Sequence, residues 1–141
     1  MMKPLSDLAH ITIVCGDRNW QAPVPIQRFL EGLPTGRAVV ITGGAAGADT
    51  VAWNIAKRMG HRAVRVDAPW DSYGKRAGPV RNQWMLELLL MFKSAFPNAI
   101  CDVHAFHANI ASSRGTADMV TRARNNDIPY TIHSETEMPD V

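Results

Sequence analysis

Cysteine and long apolar runs are both scarce in this chain. Only two cysteines occur in 141 residues, Cys15 and Cys101, and they form no Cys-x-x-Cys pair. We therefore expect buried, reduced thiols rather than disulfides. The longest apolar stretch, at 84–92, contains Glu87 and is shorter than the roughly 18 residues of a membrane span, so no membrane association is expected. The first ten residues lack the apolar core of a signal peptide, which favours a cytoplasmic protein, or one in the host cytoplasm if it is phage-encoded.

A large excess of charge of one sign is also missing. The chain has 15 basic and 13 acidic residues, a net charge of +2. Bulk charge therefore gives no reason to expect duplex DNA, and nucleic acid is not the expected partner. Apolar residues make up 46% of the sequence, which is enough for a globular core and excludes a disordered or fibrous class.

Short β-branched runs alternate with helical patterns along the chain. The predicted strands are 11–15, 38–42, 62–68, 100–107 and 129–133, and the predicted helices are 22–33, 47–60, 78–94 and 115–127. This alternation predicts an α/β fold: a single Rossmann-like domain of about five parallel strands with helices on both faces. We assign residues 1–133 to this nucleotide-binding domain and 134–141 to a flexible C-terminal tail.

Residues that follow the strands are the expected ligand-binding set, because such sheets bind ligands beyond their carboxyl ends. Each strand end carries glycine, a cation or a hydroxyl, which suits a phosphorylated small molecule, and aromatic rings nearby suit a base. The predicted ligand-binding residues are Gly16, Asp17, Arg18, Trp20, Gly43, Gly44, Gly47, Asp49, Trp70, Tyr73, Lys75, Arg81, Asn82, Ser113, Arg114, Gly115 and Thr116.

Each of these motifs also has a purely structural interpretation. The turn at 43–49, GGAAGAD, is neither a P-loop nor a GxGxxG motif, so its glycines could serve packing alone. Asp49 could simply favour the first turn of its helix. His104 and His107 are three apart in a predicted strand and would point to opposite faces, which is poor for a shared metal. No metal site and no cofactor are predicted, and Trp53 and Trp84 are interpreted as packing residues.

Four segments match a known family in order and spacing: ITIVCGDRNW, VVITGGAAGADTVAWNIA, WDSYGKRAGPVRNQWM and SRGTADMVTRA. Over about residues 10–132 the chain resembles the YspA-like, YpsA-related branch of the SLOG superfamily, which is common in bacteria and phages. That superfamily includes the LOG phosphoribohydrolases and the DNA-binding protein DprA. The resemblance implies a Rossmann-like sheet and a nucleotide or nucleotide-derived ligand.

The LOG motifs carry over only in part. Arg81 matches the arginine of an Arg-Lys-x-x-Met motif, and Gly115 and Thr116 match a phosphate-holding Gly-Thr pair. The glutamate of that second motif is Met119 here, with Asp118 next to it. An arginine frequent in the YspA-like branch is Ala46 in this chain. The resemblance implies a ligand-contacting or catalytic role for Arg81. With that glutamate lost, the carboxylates near strand ends are Asp17, Asp49, Asp71 and Asp118, and none has the LOG spacing. Only if the protein is an enzyme do we expect catalytic roles for Arg81 and for Asp49 or Asp118.

Three functions remain open at this level. The favoured one is binding of a nucleotide or nucleotide-derived molecule by a sensor or sequestering protein. The alternative is a LOG-like nucleoside-monophosphate phosphoribohydrolase (an N-glycosidase), and the third is DprA-like binding of single-stranded nucleic acid. The helix over 79–92 is apolar around most of its circumference, which predicts a homodimer through this helix; its apolar residues are Val80, Trp84, Met85, Leu86, Leu88, Leu89, Leu90, Met91 and Phe92.

Overall fold

The computed structural model describes residues 8–134. Five strands form one sheet in the order β3-β2-β1-β4-β5, and every neighbouring pair is parallel. The strands are β1 (His10–Gly16), β2 (Ala38–Thr42), β3 (Arg62–Arg65), β4 (Ile100–Phe106) and β5 (Tyr130–His133). All residues of β2 are buried, as expected for an inner parallel strand covered on both faces. The predicted fold class is confirmed.

Helices cover both faces of the sheet. They are α1 (Pro23–Glu31), α2 (Ala48–Arg58), α3 (Trp70–Tyr73), α4 (Ala77–Ala95) and α5 (Gly115–Asn125). Ile26 and Leu30 of α1 and Ile55 of α2 pack with Val40 and Phe106 on one face. The other face buries side chains of α4 and α5 in a second core cluster: Met85, Leu86, Leu89, Met119, Val120 and Ala123. No helix between residues 8 and 134 is long and apolar enough to cross a membrane.

The structure corrects several predicted boundaries. The strand predicted at 62–68 ends at Arg65, because Pro69 begins a different local structure that the sequence did not predict. This is the short helix α3 followed by a 3-10 turn at Gly74–Arg76. Gly74 has a φ of +54° and separates the two turns. The helices predicted at 22–33, 47–60 and 115–127 are shorter in the structure by one or two residues at one or both ends, whereas α4 extends one residue beyond each end of the predicted 78–94. Differences of this size at helix ends are usual. The predicted flexible tail lies outside the described residues except for Ser134.

The order of strands reverses at the centre of the sheet. From β1 the chain moves outward through β2 to β3, and it then crosses to the other side of β1 to form β4 and β5. The carboxyl ends of β1 and β4 therefore flank the crevice where a parallel sheet of this kind binds ligands.

Candidate functional site

A half-open cavity of about 530 Å³ lies at this point of strand reversal. Its wall comes from the segments after β1 and β4, from the turn before α2, and from the starts of α4 and α5. The predicted site residues found on the wall are Gly16, Asp17, Arg18, Asp49, Arg81, Asn82, Ser113, Arg114, Gly115 and Thr116. Six further wall residues were not among those predicted: Cys15, Asn19, Ala45, Met85, His107 and Ser112.

The structure does not bring the other predicted residues to the cavity wall. These are Trp20, Gly43, Gly44, Gly47, Trp70, Tyr73 and Lys75. Trp20 is buried with its ring edge-on to Phe106, and its Nε1 donates to the Ala22 carbonyl at 2.6 Å. Trp70 and Tyr73 are 59% and 43% exposed on α3, and Lys75 is exposed beside them. The aromatic rings expected for a base are thus located elsewhere on the protein.

The glycine turn before α2 packs against other parts of the protein. Gly47 has a φ of +76°, and a Cβ there would collide with the backbone of Asp17 and Arg18. This close approach lets Ala48 N–H donate to the Asp17 carbonyl at 3.0 Å, which fixes the loop after β1 on the start of α2. A Cβ on Gly43 would collide with the Arg81 guanidinium and lie 2.9 Å from Asp49 Oδ2. The glycines therefore shape the cavity from behind its wall.

Asp49 is the most buried acidic group in the wall, with 4% of its surface exposed. Its Oδ2 accepts the Ala45 N–H at 3.2 Å, whereas its Oδ1 is buried and has no hydrogen-bond partner. Burial raises the pKa of Asp49 to about 6, although the charge of Arg81 and the backbone N–H groups of Ala45 and Gly43 oppose the shift. Strongly perturbed carboxyl groups in clefts are typical of functional sites.

Arg81 and Asn82 connect three elements at the cavity. Arg81 donates from Nη1 to the Gly43 carbonyl and from Nε to Asn82 Oδ1, the second contact at 3.0 Å. Asn82, which is buried, donates to the Gly115 carbonyl at 3.1 Å and to Asp118 Oδ2 at 2.9 Å. Asn82 thereby positions both the arginine and the first turn of α5.

Asp118 lies outside the cavity wall. Its Oδ2 accepts the contact from Asn82 and a second one from Arg122 Nε at 2.8 Å. Of the two aspartates expected to be catalytic if the protein is an enzyme, the structure therefore brings only Asp49 to the cavity.

The start of α5 combines a cap with positive charge. Ser113 Oγ accepts the Thr116 N–H at 2.9 Å, which satisfies one of the backbone donors that a helix start leaves free. Gly115 and Arg114 are exposed here on the wall. The helix dipole and the Arg114 guanidinium both favour an anion at this position.

His107 is a wall residue that the sequence reasoning had set aside. It is the first residue after β4, whereas the predicted strand extended to residue 107 and therefore placed it inside the strand. Its Nδ1 accepts the Asn109 N–H at 3.0 Å, and its Nε2 lies 3.9 Å from Asp17 Oδ2. A neutral ring that accepts at Nδ1 carries its proton on Nε2. His107 therefore offers a hydrogen-bond donor beside the Asp17 carboxylate.

A second polar group lies on the sheet face against which Phe29 of α1 packs; we name His10, Asp102, His104 and His133 the histidine cluster. His10 Nε2 lies 3.0 Å from both Asp102 oxygens, and His104 Nε2 lies 3.3 Å from Oδ2. His104 Nδ1 lies 2.9 Å from His133 Nε2. Burial alone would raise the pKa of Asp102, but the hydrogen bonds with His10 and His104 hold it well below its usual range.

The protons of the histidine cluster can be assigned from these contacts. An ionised Asp102 only accepts, so His10 and His104 both carry a proton on Nε2. The free Nδ1 of His104 then accepts from His133 Nε2–H. Each of these contacts joins one donor to one acceptor. Within residues 8–134 no group of three or more His, Cys, Asp or Glu side chains is arranged to hold a metal ion.

Comparison with known proteins identifies the fold. No family model and no curated protein sequence matches the chain. The X-ray structure of DNA processing protein A (DprA) from Streptococcus pneumoniae does match, with a TM-score of 0.52 and 17% sequence identity. The match covers 94% of this chain and 61% of the DprA chain, so this chain spans about three fifths of that protein's length. The chain has a DprA-like, Rossmann-type fold, and at this identity the likeness shows the fold alone.

Proposed function

We propose that this protein binds a nucleotide or nucleotide-derived small molecule in the cavity at the carboxyl end of the sheet, as a sensor or sequestering protein of the YspA-like branch. The observation that carries the proposal is the cavity itself, which gathers residues from four separate segments at the point of strand reversal. Its volume is within the range of small-molecule sites. The sequence resemblance supports the same ligand class.

The charges of the wall favour an anionic ligand. The guanidinium groups of Arg18, Arg81 and Arg114 lie on the wall with the carboxyl groups of Asp17 and Asp49. Asp49 is buried, with 4% of its surface exposed, and the charge of the nearby Arg81 opposes its own. The start of α5 adds partial positive charge. A phosphate beside Gly115, with Arg81 and Arg114 near it, is the arrangement that best satisfies these groups.

Mass spectrometry of molecules released from the denatured, purified protein tests the proposal directly. We expect a phosphorylated nucleoside or a derivative in the wild-type protein and in Arg58→Ala, an exposed arginine of α2 outside the wall. Arg81→Ala, purified in parallel, should release much less. If no phosphorylated compound is released, and none of a panel of nucleotides raises the melting temperature, the proposal is wrong.

An N-glycosidase activity is the second candidate, and Asp49 is the observation that favours it. A carboxyl group with a pKa of about 6 can exchange protons near neutral pH, and glycosidic cleavage needs such a group. Long incubation of excess protein with nucleoside monophosphates, followed by chromatography of the free base, tests this activity. Release by wild type and by Asp118→Asn, but not by Asp49→Asn, would establish the enzyme with Asp49 as its acid or base.

Single-stranded nucleic acid is the third candidate. The structural similarity to DprA suggests this role, and an exposed aromatic surface formed by Trp70, Tyr73 and Trp84 favours it. Trp84 is 40% exposed, and its ring lies edge-on to the Tyr73 ring with 6.4 Å between the ring centroids. Lys75 and Arg76 are exposed next to them. Stacking rings beside cations are typical of sequence-tolerant single-strand binding. The anisotropy of a labelled oligothymidylate, measured at two salt concentrations, tests this role. Binding that weakens steeply with salt, and that Trp70→Ala also weakens, would establish it.

We also propose a homodimer through α4. Its Trp84 and Met91 are 40% and 69% exposed. Leu88, between them, and Val80, one turn before Trp84, are half-buried. The spacing of these four residues places them along one outward stripe. Light scattering at micromolar concentration should give twice the chain mass for wild type and the chain mass for Met91→Glu. A wild-type monomer would contradict the proposal.

A further inference from the structure

The walls of the cavity differ in chemistry from one side to the other. Arg114 and the capped start of α5 form a side suited to phosphate. In a second part of the wall, formed by the segments after β1 and β4, Asp17 and His107 lie next to each other with 3.9 Å between Asp17 Oδ2 and His107 Nε2. A carboxylate in an anion site repels phosphate, so the ligand must present something else to this side.

The second side offers one acceptor and one donor in close proximity. Asp17 Oδ1 already accepts the Asn19 N–H at 2.9 Å, which orients the carboxylate and leaves Oδ2 toward His107. The neutral His107 ring donates from Nε2, because its Nδ1 accepts a backbone N–H. A hydroxyl both donates and accepts, so a sugar hydroxyl satisfies both groups at once.

Aromatic platforms for a base are missing from the wall. Among the described residues that line the cavity there is no Phe, Tyr or Trp, and the apolar contribution comes from Cys15, Ala45 and Met85. Without a stacking ring, a base of any identity gains little affinity from this wall, whereas the hydroxyls and the phosphate meet fixed polar partners.

We propose that the cavity recognises the ribose-phosphate part of its ligand, with the ribose 2′-hydroxyl between Asp17 and His107 and the phosphate at the start of α5, and that it makes few contacts that depend on the base. This inference rests on the proposed function and narrows it to ribonucleotides and other phosphorylated ribose compounds. Asp49 takes no direct part, because its free Oδ1 is buried beneath the wall surface; it acts as a positioning residue for the turn and for Arg81.

Isothermal titration calorimetry of the full chain tests the inference with defined probes. The probes are AMP, GMP, CMP, UMP, dAMP, ribose 5-phosphate and inorganic phosphate. We expect the four ribonucleotides to agree within about threefold and ribose 5-phosphate to compete with AMP. dAMP should bind about tenfold to a hundredfold more weakly, since it lacks a hydroxyl that meets a charged partner.

Substitutions at Asp17 and His107 test whether these two residues cause the difference in affinity between AMP and dAMP. Asp17→Ala and His107→Phe should reduce the ratio of AMP to dAMP affinity toward one, while Glu31→Gln, an exposed carboxylate change on α1 away from the cavity, should keep the wild-type ratio. Circular dichroism establishes that each variant is folded.

The failures of the two proposals are distinguishable. If none of the phosphorylated probes binds, the proposed function itself fails. If ribonucleotides bind but dAMP binds equally well, or one base is preferred by more than tenfold, the ribose-phosphate inference is wrong and nucleotide binding stands. Equal affinity for inorganic phosphate and AMP would also overturn the inference, because the site would then recognise an anion alone.

Discussion

The cavity and the histidine cluster are two polar regions built on the same central strands, and they differ in how their polar groups are satisfied. In the histidine cluster each of the three side-chain contacts pairs a donor with an acceptor inside the protein. In the cavity, exposed Arg18 and Arg114 face a crevice, and Asp49 Oδ1 has no partner. Buried polar groups are normally paired. The paired histidine cluster therefore stabilises the fold, whereas the polar groups of the cavity that lack a protein partner are suited to contact a ligand.

Asp102→Ala should have the largest effect of the predictions below. It removes the acceptor shared by His10 and His104, whose side chains are only 14% and 13% exposed. Two donors then lose their partner, which should lower the free energy of unfolding by about 2–4 kcal/mol. Urea denaturation measures this loss. The exposed pair of Arg65 and Asp67 is the control, since Asp67→Ala should cost at most about 1 kcal/mol.

Arg81→Ala tests the other region, and its main effect should be on binding. Loss of a charge-assisted contact costs about 1.5–3 kcal/mol, or one to two decades in affinity for AMP measured by calorimetry. Thr116→Val should cost less, because the backbone N–H groups at the start of α5 remain. Arg124→Ala, an exposed arginine of α5 outside the wall, should change nothing. Equal losses in Arg81→Ala and Arg124→Ala would point to bulk charge instead of a site.

Comparison of Gly47→Ala with Gly60→Ala separates the cost of backbone strain from the cost of a steric collision. Gly47 and Gly60 have φ angles of +76° and +82°, so alanine strains the backbone at both. Only at Gly47 does the added Cβ also meet protein, whereas nothing lies within 4 Å of it at Gly60. Gly47→Ala should therefore be less stable than Gly60→Ala by about 1–2 kcal/mol. Indistinguishable denaturation midpoints would mean that the loop after β1 shifts to accommodate the added Cβ with no loss of stability.

Acid should affect the two regions in opposite directions. Burial, followed by the charge of His104, lowers the pKa of His133 from 6.5 to about 4, so its neutral form favours the fold and this contribution is lost as pH falls from 6.5 through 4. The pKa of Asp49 is raised from 3.8 to about 6, so its protonated form favours the fold and that contribution is lost as pH rises from 3.8 through 6.

Two variants should separate the pH dependence of stability that His133 causes from the one that Asp49 causes. Between pH 7 and pH 4, His133→Gln should lose less stability than wild type, by roughly 1 kcal/mol after solvent screening is allowed for. Asp49→Asn should lose more stability than wild type, by about 2 kcal/mol, because Asp49 is buried. Urea midpoints at several pH values measure both. Slopes that change in the same direction for the two variants would contradict the assignment.

Much of this arrangement was predictable from the sequence because strand ends converge. Parallel strands place their carboxyl ends at one edge, so Gly16, Arg18, Arg81 and Thr116 were expected together and all line the cavity. The same rule predicted that Trp70 would line the cavity, but Trp70 lies on α3, before the turn at Gly74, and is exposed at the protein surface. No local pattern distinguishes a strand end that turns inward from one that turns away.

The role of the glycine turn depended on contacts that no local pattern shows. Gly47 is required because the loop at Asp17 and Arg18 passes against it, and that loop follows a different strand. The histidine cluster was equally hidden, since His10, Asp102 and His133 come from three strands that become neighbours only in the sheet. His107 was missed because the strand was predicted to extend to residue 107, one residue beyond the observed end of β4 at Phe106.

The central position of β1 and β4 also sets the order in which the site is made during synthesis. His10 and Asp102, which meet across these strands, are 92 residues apart in sequence. A nascent chain that has emerged only as far as α4 has β1, β2 and β3, but it lacks the wall contributed by His107 and the start of α5. A ligand of the proposed site would have no complete cavity to bind until β4 is paired with β1, so it could not assist this non-local pairing. It would stabilise only the finished domain, by lowering the population of opened states.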